Sequence, residues 1–130
     1  MMSGDGKSIV VTGGAGFIGS ALVRSLIATS SDHVHVVDKL TYAGNLSNLK
    51  SLKNDPRHFF IHGDIADKVL VNDLLVKHRP RAIVNFAAES HVDRSIHGPA
   101  EFIQTNIVGT FNLLECAREY WANLQGAERE

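Results

Sequence analysis

The chain is short of several things. Among its 130 residues there is one cysteine, Cys116, so no internal disulfide is possible. No apolar run approaches the roughly 18 residues that span a bilayer. Neither charge sign is in excess, with 13 Lys and Arg against 14 Asp and Glu, so nothing draws the chain to nucleic acid or to an anionic membrane. The seven histidines are scattered; His33/His35 and His58/His62 are the close pairs, and no second cysteine or carboxylate cluster completes a metal site. Repeats and low-complexity tracts are absent. The opening MMSGDGK lacks the apolar centre of a signal peptide and reads as a tail, which together with the lone cysteine points to a reducing cytoplasm.

What is present is an alternation of short apolar runs and helix-like segments. Ser8–Gly14 reads as a strand meeting a tight turn, Phe17–Thr29 as a helix with Phe17, Ile18, Ala21, Leu22, Leu26 and Ile27 on one face, and His33–Asp38 as a second strand. Asn45–Leu52 is a weak short helix, His58–Asp64 a third strand, and Asp67–His78 a helix stopped by Pro80. Arg81–Ala88 is a fourth strand. The longest helix runs from Ala100 to Trp121, with Ile103, Ile107, Thr110, Phe111, Leu114, Ala117 and Trp121 at three- and four-residue steps. This order predicts an α/β fold: a Rossmann-like, doubly wound parallel sheet of about four strands with helices on both faces. Residues 1–7 and 123–130 are expected to be tails around a nucleotide-binding domain at 8–122. The fourth strand is expected beside the first, with its outer edge unpartnered.

Between the first strand and helix lies Thr12-Gly13-Gly14-Ala15-Gly16-Phe17-Ile18-Gly19, with glycines spaced for a tight turn and close approach to a pyrophosphate. The following helix offers free N–H groups and a partial positive charge. Asp38 ends the next strand 19 residues beyond Gly19, placed to accept hydrogen bonds from a ribose 2′-hydroxyl. A carboxylate there repels a 2′-phosphate, which favours NAD over NADP, although Lys39 softens that preference. The alternative is a tight turn followed by a solvated aspartate.

The glycine loop, Asp38-Lys39-Leu40-Thr41-Tyr42-Ala43-Gly44-Asn45, Ala87-Ala88-Glu89-Ser90-His91-Val92-Asp93-Arg94-Ser95 and Phe102–Glu115 together resemble the extended short-chain dehydrogenase/reductases, and within them the dTDP-glucose 4,6-dehydratase family. The resemblance implies bound NAD that takes hydride from C4 of the hexose and returns it to C6 after water leaves across C5 and C6. It assigns the pyrophosphate to Gly13, Gly16, Phe17, Ile18 and Gly19, the adenosine ribose to Asp38, Lys39, Leu40 and Thr41, and the adenine border to Asp64 and Ile65. Phe86, Ala87, Ala88, Glu89 and Ser90 would pass under the nicotinamide half, with Thr105 near it, and Ser90 would also touch the nucleotide sugar.

Asp64 has a second reading, as the cap of the helix near Asp67. Asn106 either braces the sheet near the site or is simply exposed. Glu89, His91, Asp93 and Arg94 are read as ordering the mouth of the site, His97 as a turn residue.

The superfamily's Tyr-x-x-x-Lys pair is missing, since Leu46 follows Tyr42 at that spacing and Leu124 follows Tyr120; a Thr-Asp-Glu motif is missing too. No catalytic residue is therefore assigned. The chain is expected to be the cofactor-binding part of a longer enzyme, without its substrate domain, inactive alone and prone to self-association through Arg81–Ala88 or Ala100–Trp121. The rival expectations are a free-standing NAD-binding or interaction module, and part of a UDP-sugar dehydratase or epimerase.

Overall fold

The structure, a computed structural model, describes residues 7–40, 45–87, 100 and 103–124, without the side chain of Thr105. The chain divides into two compact units, Met1–Asp64 with Pro80–Ala88, and Ile65–Arg79 with Glu89–Glu130.

The first unit holds β1 (Ser8–Thr12), α1 (Phe17–Thr29), β2 (His33–Asp38), a 3-10 helix (Leu46–Leu52), β3 (His58–His62) and β4 (Ala82–Asn85). The strands are parallel in the order β3-β2-β1-β4. This is the expected Rossmann arrangement, and it puts the carboxyl ends of β1 and β4 side by side, where such sheets bind ligands. Register aligns Val84, Val11, Val36 and Phe60 in one row across the sheet. That row packs with Val23 and Ile27 of α1 and with Leu49 and Leu52 of the 3-10 helix. The central strands β1 and β2 are buried almost throughout, while the edge strands are half-exposed. Lys7, assigned from sequence to a tail, already joins the sheet: its carbonyl accepts from His33 N–H at 2.7 Å.

Two strands are shorter than expected. Beyond Asn85 the ladder has no template, because β1 itself turns away at Gly13; Phe86 N–H makes one last bond to Thr12 O at 2.9 Å. Likewise β3 stops at His62, and Gly63 N–H bonds to Asp38 O, the end of β2, at 3.1 Å.

The expected buried face of α1 is corrected. Its buried residues are Gly19, Ser20, Val23 and Ile27, whereas Phe17, Ile18 and Ala21 are exposed and Leu22 and Leu26 only half-buried. Close approach to the glycine turn admits only small side chains: a Cβ on Gly19 would run into the carbonyl oxygen of Gly13. The α1 carboxyl end is held from a distance, since the Arg57 guanidinium donates to Ile27 O at 2.6 Å and to Ser30 O. A cation there also suits the negative end of the helix.

The second unit holds α2 (Lys68–His78) and α3 (Thr110–Ala122), the latter preceded by a wider-wound helical stretch, Gln104–Gly109, with π-helical geometry. Asp67 caps α2, its side chain accepting from Leu70 N–H at 3.1 Å. Arg79 ends α2 in a left-handed conformation (φ 46°), before Pro80 is reached. The apolar interior of the unit includes Val71, Leu74 and Leu75 on α2 and Leu113 and Cys116 on α3. Leu124, expected in a polar tail, is buried as well. The expected face of the long helix is again corrected: Ile103, Ile107, Phe111, Leu114 and Trp121 are exposed. The buried positions here are Gly109, Leu113 and Cys116, and a Cβ at Gly109 would lie 2.8 Å from Ile65 Cγ1.

Candidate functional site

The site is built on the first unit, at the carboxyl ends of β1, β2 and β4. β1 ends in a glycine-rich turn whose close approaches extend to Gly19 of α1. Gly13 takes φ +67° and lies so close to the β4 exit that a Cβ would sit 2.6 Å from the Phe86 carbonyl carbon. Gly19 is the close-packed position described above.

From this turn α1 springs with an open amino end. Its cap residue, Gly16, has no side chain to cap with, and the first turn carries no acid. The first helical bond is Ser20 N–H to Gly16 O at 3.0 Å, so the amides of Phe17, Ile18 and Gly19 precede it and project from the helix end. The Phe17 side chain is 87% exposed and that of Ile18 66%. This arrangement accepts an anion, and a pyrophosphate matches its chemistry.

Asp38 stands at the end of β2, buried. Its Oδ2 accepts from Ala15 N–H at 2.9 Å and its Oδ1 from Leu40 N–H at 2.7 Å. Leu40 itself adopts φ 58°, a left-handed conformation uncommon for leucine. A carboxylate has about four acceptor sites, so capacity for a ribose hydroxyl remains. Lys39 Nζ lies 3.4 Å from Asp64 Oδ2, which directs its charge to that carboxylate. The cap of α2 is Asp67.

Between β1 and β4, Thr12 Oγ1 donates to Asn85 Oδ1, which also accepts from Ala87 N–H at 3.1 Å. The pair fixes the direction in which Phe86 and Ala87 leave the sheet.

Gly13, Gly16, Phe17, Ile18, Gly19, Asp38, Lys39, Leu40, Asp64, Phe86 and Ala87 thus share one unit, at or beside one edge of its sheet. Ile65 belongs to the other unit, buried with its carbonyl accepting from Asn112 Nδ2 at 2.6 Å. Thr105 lies in the wide-wound stretch before α3, and Asn106 beside it is half-buried. Thr41, Ala88, Glu89, Ser90, His91, Asp93, Arg94 and His97 lie outside the described residues. Sequence reasoning missed Thr12, Asn85, Asn48 and Asn112, whose roles lie in bonds to backbone or to one another. The described residues hold no cluster of metal ligands. Burial, followed by the charge of Glu119, pushes the Cys116 thiol up, so it is no ready nucleophile.

A family model described as GDP-mannose 4,6 dehydratase matches residues 10–127. The chain belongs to this dehydratase family. Within the family it is similar to dTDP-glucose 4,6-dehydratases: 60% identical to that of Escherichia coli over 89% of this chain, and 54% to that of Neisseria meningitidis over 95%. It spans about a third of the length of these relatives, 32% and 35%. A Streptomyces venezuelae dTDP-glucose 4,6-dehydratase, solved with NAD and TYD bound, superposes with TM-score 0.82 at 52% identity, over 87% of this chain and 36% of its own. A Thermotoga maritima UDP-glucose 4-epimerase superposes with TM-score 0.77 at 37% identity, over 87% and 34%.

Proposed function

We propose that these 130 residues form the NAD-binding part of a dTDP-glucose 4,6-dehydratase. The observation that carries the reading is the uncapped, acid-free amino end of α1, set beside a glycine turn and the Asp38 carboxylate. When bound, NAD supplies the hydride acceptor and donor that interconversion at C4 and C6 of the sugar requires. The chain's own residues bind and orient it. The Phe17, Ile18 and Gly19 amides hold the pyrophosphate, and Asp38 with Lys39, Leu40 and Thr41 holds the adenosine ribose. Asp64 and Ile65 border the adenine. Phe86, Ala87, Ala88, Glu89 and Ser90 guide the nicotinamide half, Thr105 lies near it, and Ser90 reaches the sugar nucleotide. Proton transfer falls to residues outside these 130, which contain no Tyr-x-x-x-Lys. The dTDP-glucose reading is preferred over a UDP-sugar epimerase because the matches at 52–60% identity are dTDP-glucose 4,6-dehydratases, whereas the UDP-sugar epimerases match at 31–37%, a range that one dehydratase shares.

Two further parts of the reading concern setting and assembly. No described helix is long and apolar enough to cross a membrane, and the setting we propose is the cytoplasm. The apolar stripe on the outer face of α3 and the stretch before it is the surface we assign to self-association with a second copy.

Titration calorimetry of the chain with NAD and NADP, beside a turnover assay with dTDP-glucose, tests the cofactor reading. The expected result is saturable NAD binding, weaker NADP binding and no ordinary turnover. Preference for NADP, no binding of either, or ordinary turnover overturns it.

A further inference from the structure

The glycine turn is gripped from outside as well as from the sheet. Ala15, at its centre, is fully buried, and both its backbone groups are engaged. The N–H goes to Asp38. The carbonyl accepts from Asn48 Nδ2 at 2.8 Å and from Asn45 N–H at 3.1 Å, both at the 3-10 helix after β2. Asn48 is in turn tied to α1, its own carbonyl accepting from Arg24 Nη1 at 2.8 Å.

A peptide unit is planar, so a fixed Ala15 carbonyl also fixes the Gly16 N–H, which bonds to Gly13 O at 3.2 Å. Gly16 is the cap residue of α1, and its orientation sets where the next three amides point. The 3-10 helix does not need the Asn48 amide to stay in place, because Leu49 and Leu52 already bury it in the core. What the amide adds falls on the turn.

We propose that Asn48 is a positioning residue for the pyrophosphate of the cofactor: it pre-sets the glycine turn, with Arg24 holding it in register. The inference rests on the NAD reading above. Pre-setting a loop raises affinity by removing the ordering cost of binding. It acts only on ligand groups that the loop contacts.

The test compares NAD and ADP, which carry a pyrophosphate, with adenosine, which does not. Binding to the chain is followed by calorimetry and by chemical-shift titration for wild type, Asn48→Ala, Asn48→Asp and Arg24→Ala, with Lys50→Ala on the same helix as control. Asn48→Ala is expected to weaken NAD and ADP about tenfold, the effect of one hydrogen bond, and to leave adenosine unchanged. Asn48→Asp, which sets a carboxylate against the Ala15 carbonyl, should lose more. Arg24→Ala, a change at an exposed side chain, should show the same split in smaller measure, and it decides the matter where Asn48 variants do not fold. Lys50→Ala should match wild type. Equal losses for all three ligands, or no loss for ADP, overturn the proposal while leaving the NAD reading intact. Failure of wild type to bind NAD and ADP overturns both.

Discussion

A carboxylate offers about four acceptor sites, and at Asp38 two are taken by the Ala15 and Leu40 amides. The residue we propose for ribose recognition is thus also a clasp of the turn we propose for the phosphates. Asp38→Ala is expected to lower unfolding free energy by about 1–3 kcal/mol, because it leaves the buried Ala15 amide and the half-buried Leu40 amide without their acceptor, and to weaken NAD. Asp38→Asn retains one acceptor and removes the charge that repels a 2′-phosphate. Its expected effect is a narrower preference for NAD over NADP at a smaller cost in stability. Urea denaturation and calorimetry on the two variants check this; an Asp38→Ala protein as stable as wild type would show that the clasp carries no weight. Asp38 was legible in the sequence through its place after an apolar run. Its second use was not, since the donors are backbone amides and any residue has one. Asn48 was hidden because its partner is a backbone carbonyl, and Thr12 and Asn85 because the contact between them joins residues far apart in the chain.

Among the described residues the order of strands and helices was legible, because parallel strands buried on both sides are continuous apolar runs and the helices between them are periodic. The faces were not. On α1 and α3 alike, several of the largest apolar residues face outward, while the buried positions mix small residues with Val23, Ile27 and Leu113. Where backbones approach most closely, as at Gly19 and Gly109, no side chain fits, so hydrophobic size alone does not mark the inner face. The exposed stripe of Ile107, Phe111 and Leu114, with Ile103 and Trp121 at its ends, follows from this. Contiguous apolar surface of this kind seldom stays solvated. Light scattering of the wild-type chain at rising concentration is expected to show a species larger than a monomer. The double variant Phe111→Glu with Leu114→Glu should return it to monomer without loss of helix content, as both side chains are 64% exposed. A wild-type chain that stays monomeric throughout removes α3 as an interface.

Stability of the whole molecule should be bounded on both sides by groups that burial keeps uncharged. Desolvation, only partly offset by a hydrogen bond with the Leu52 backbone and by Asp55, lowers the pKa of His58 below its usual 6.5; desolvation, then the charge of Lys77, does the same for His78. His58 Nε2 is buried with no hydrogen-bond partner among the described residues. For both histidines the unfolded chain binds the proton more readily, so stability rises with pH. Their contribution is complete above about 6.5 and is lost as pH falls through that value toward the lower folded one. Cys116 acts in the opposite direction: its folded pKa lies above the usual 9.0, so the unfolded chain loses the proton first. Stability then declines as pH rises past about 9. Denaturation midpoints in urea measured from pH 5 to pH 10 should therefore form a plateau between these limits. His58→Gln should shrink the acid arm to the part His78 supplies, and Cys116→Ser should flatten the alkaline one, each leaving the other arm in place. Arms that persist unchanged in both variants would move the cause from these buried groups to the net charge of the chain.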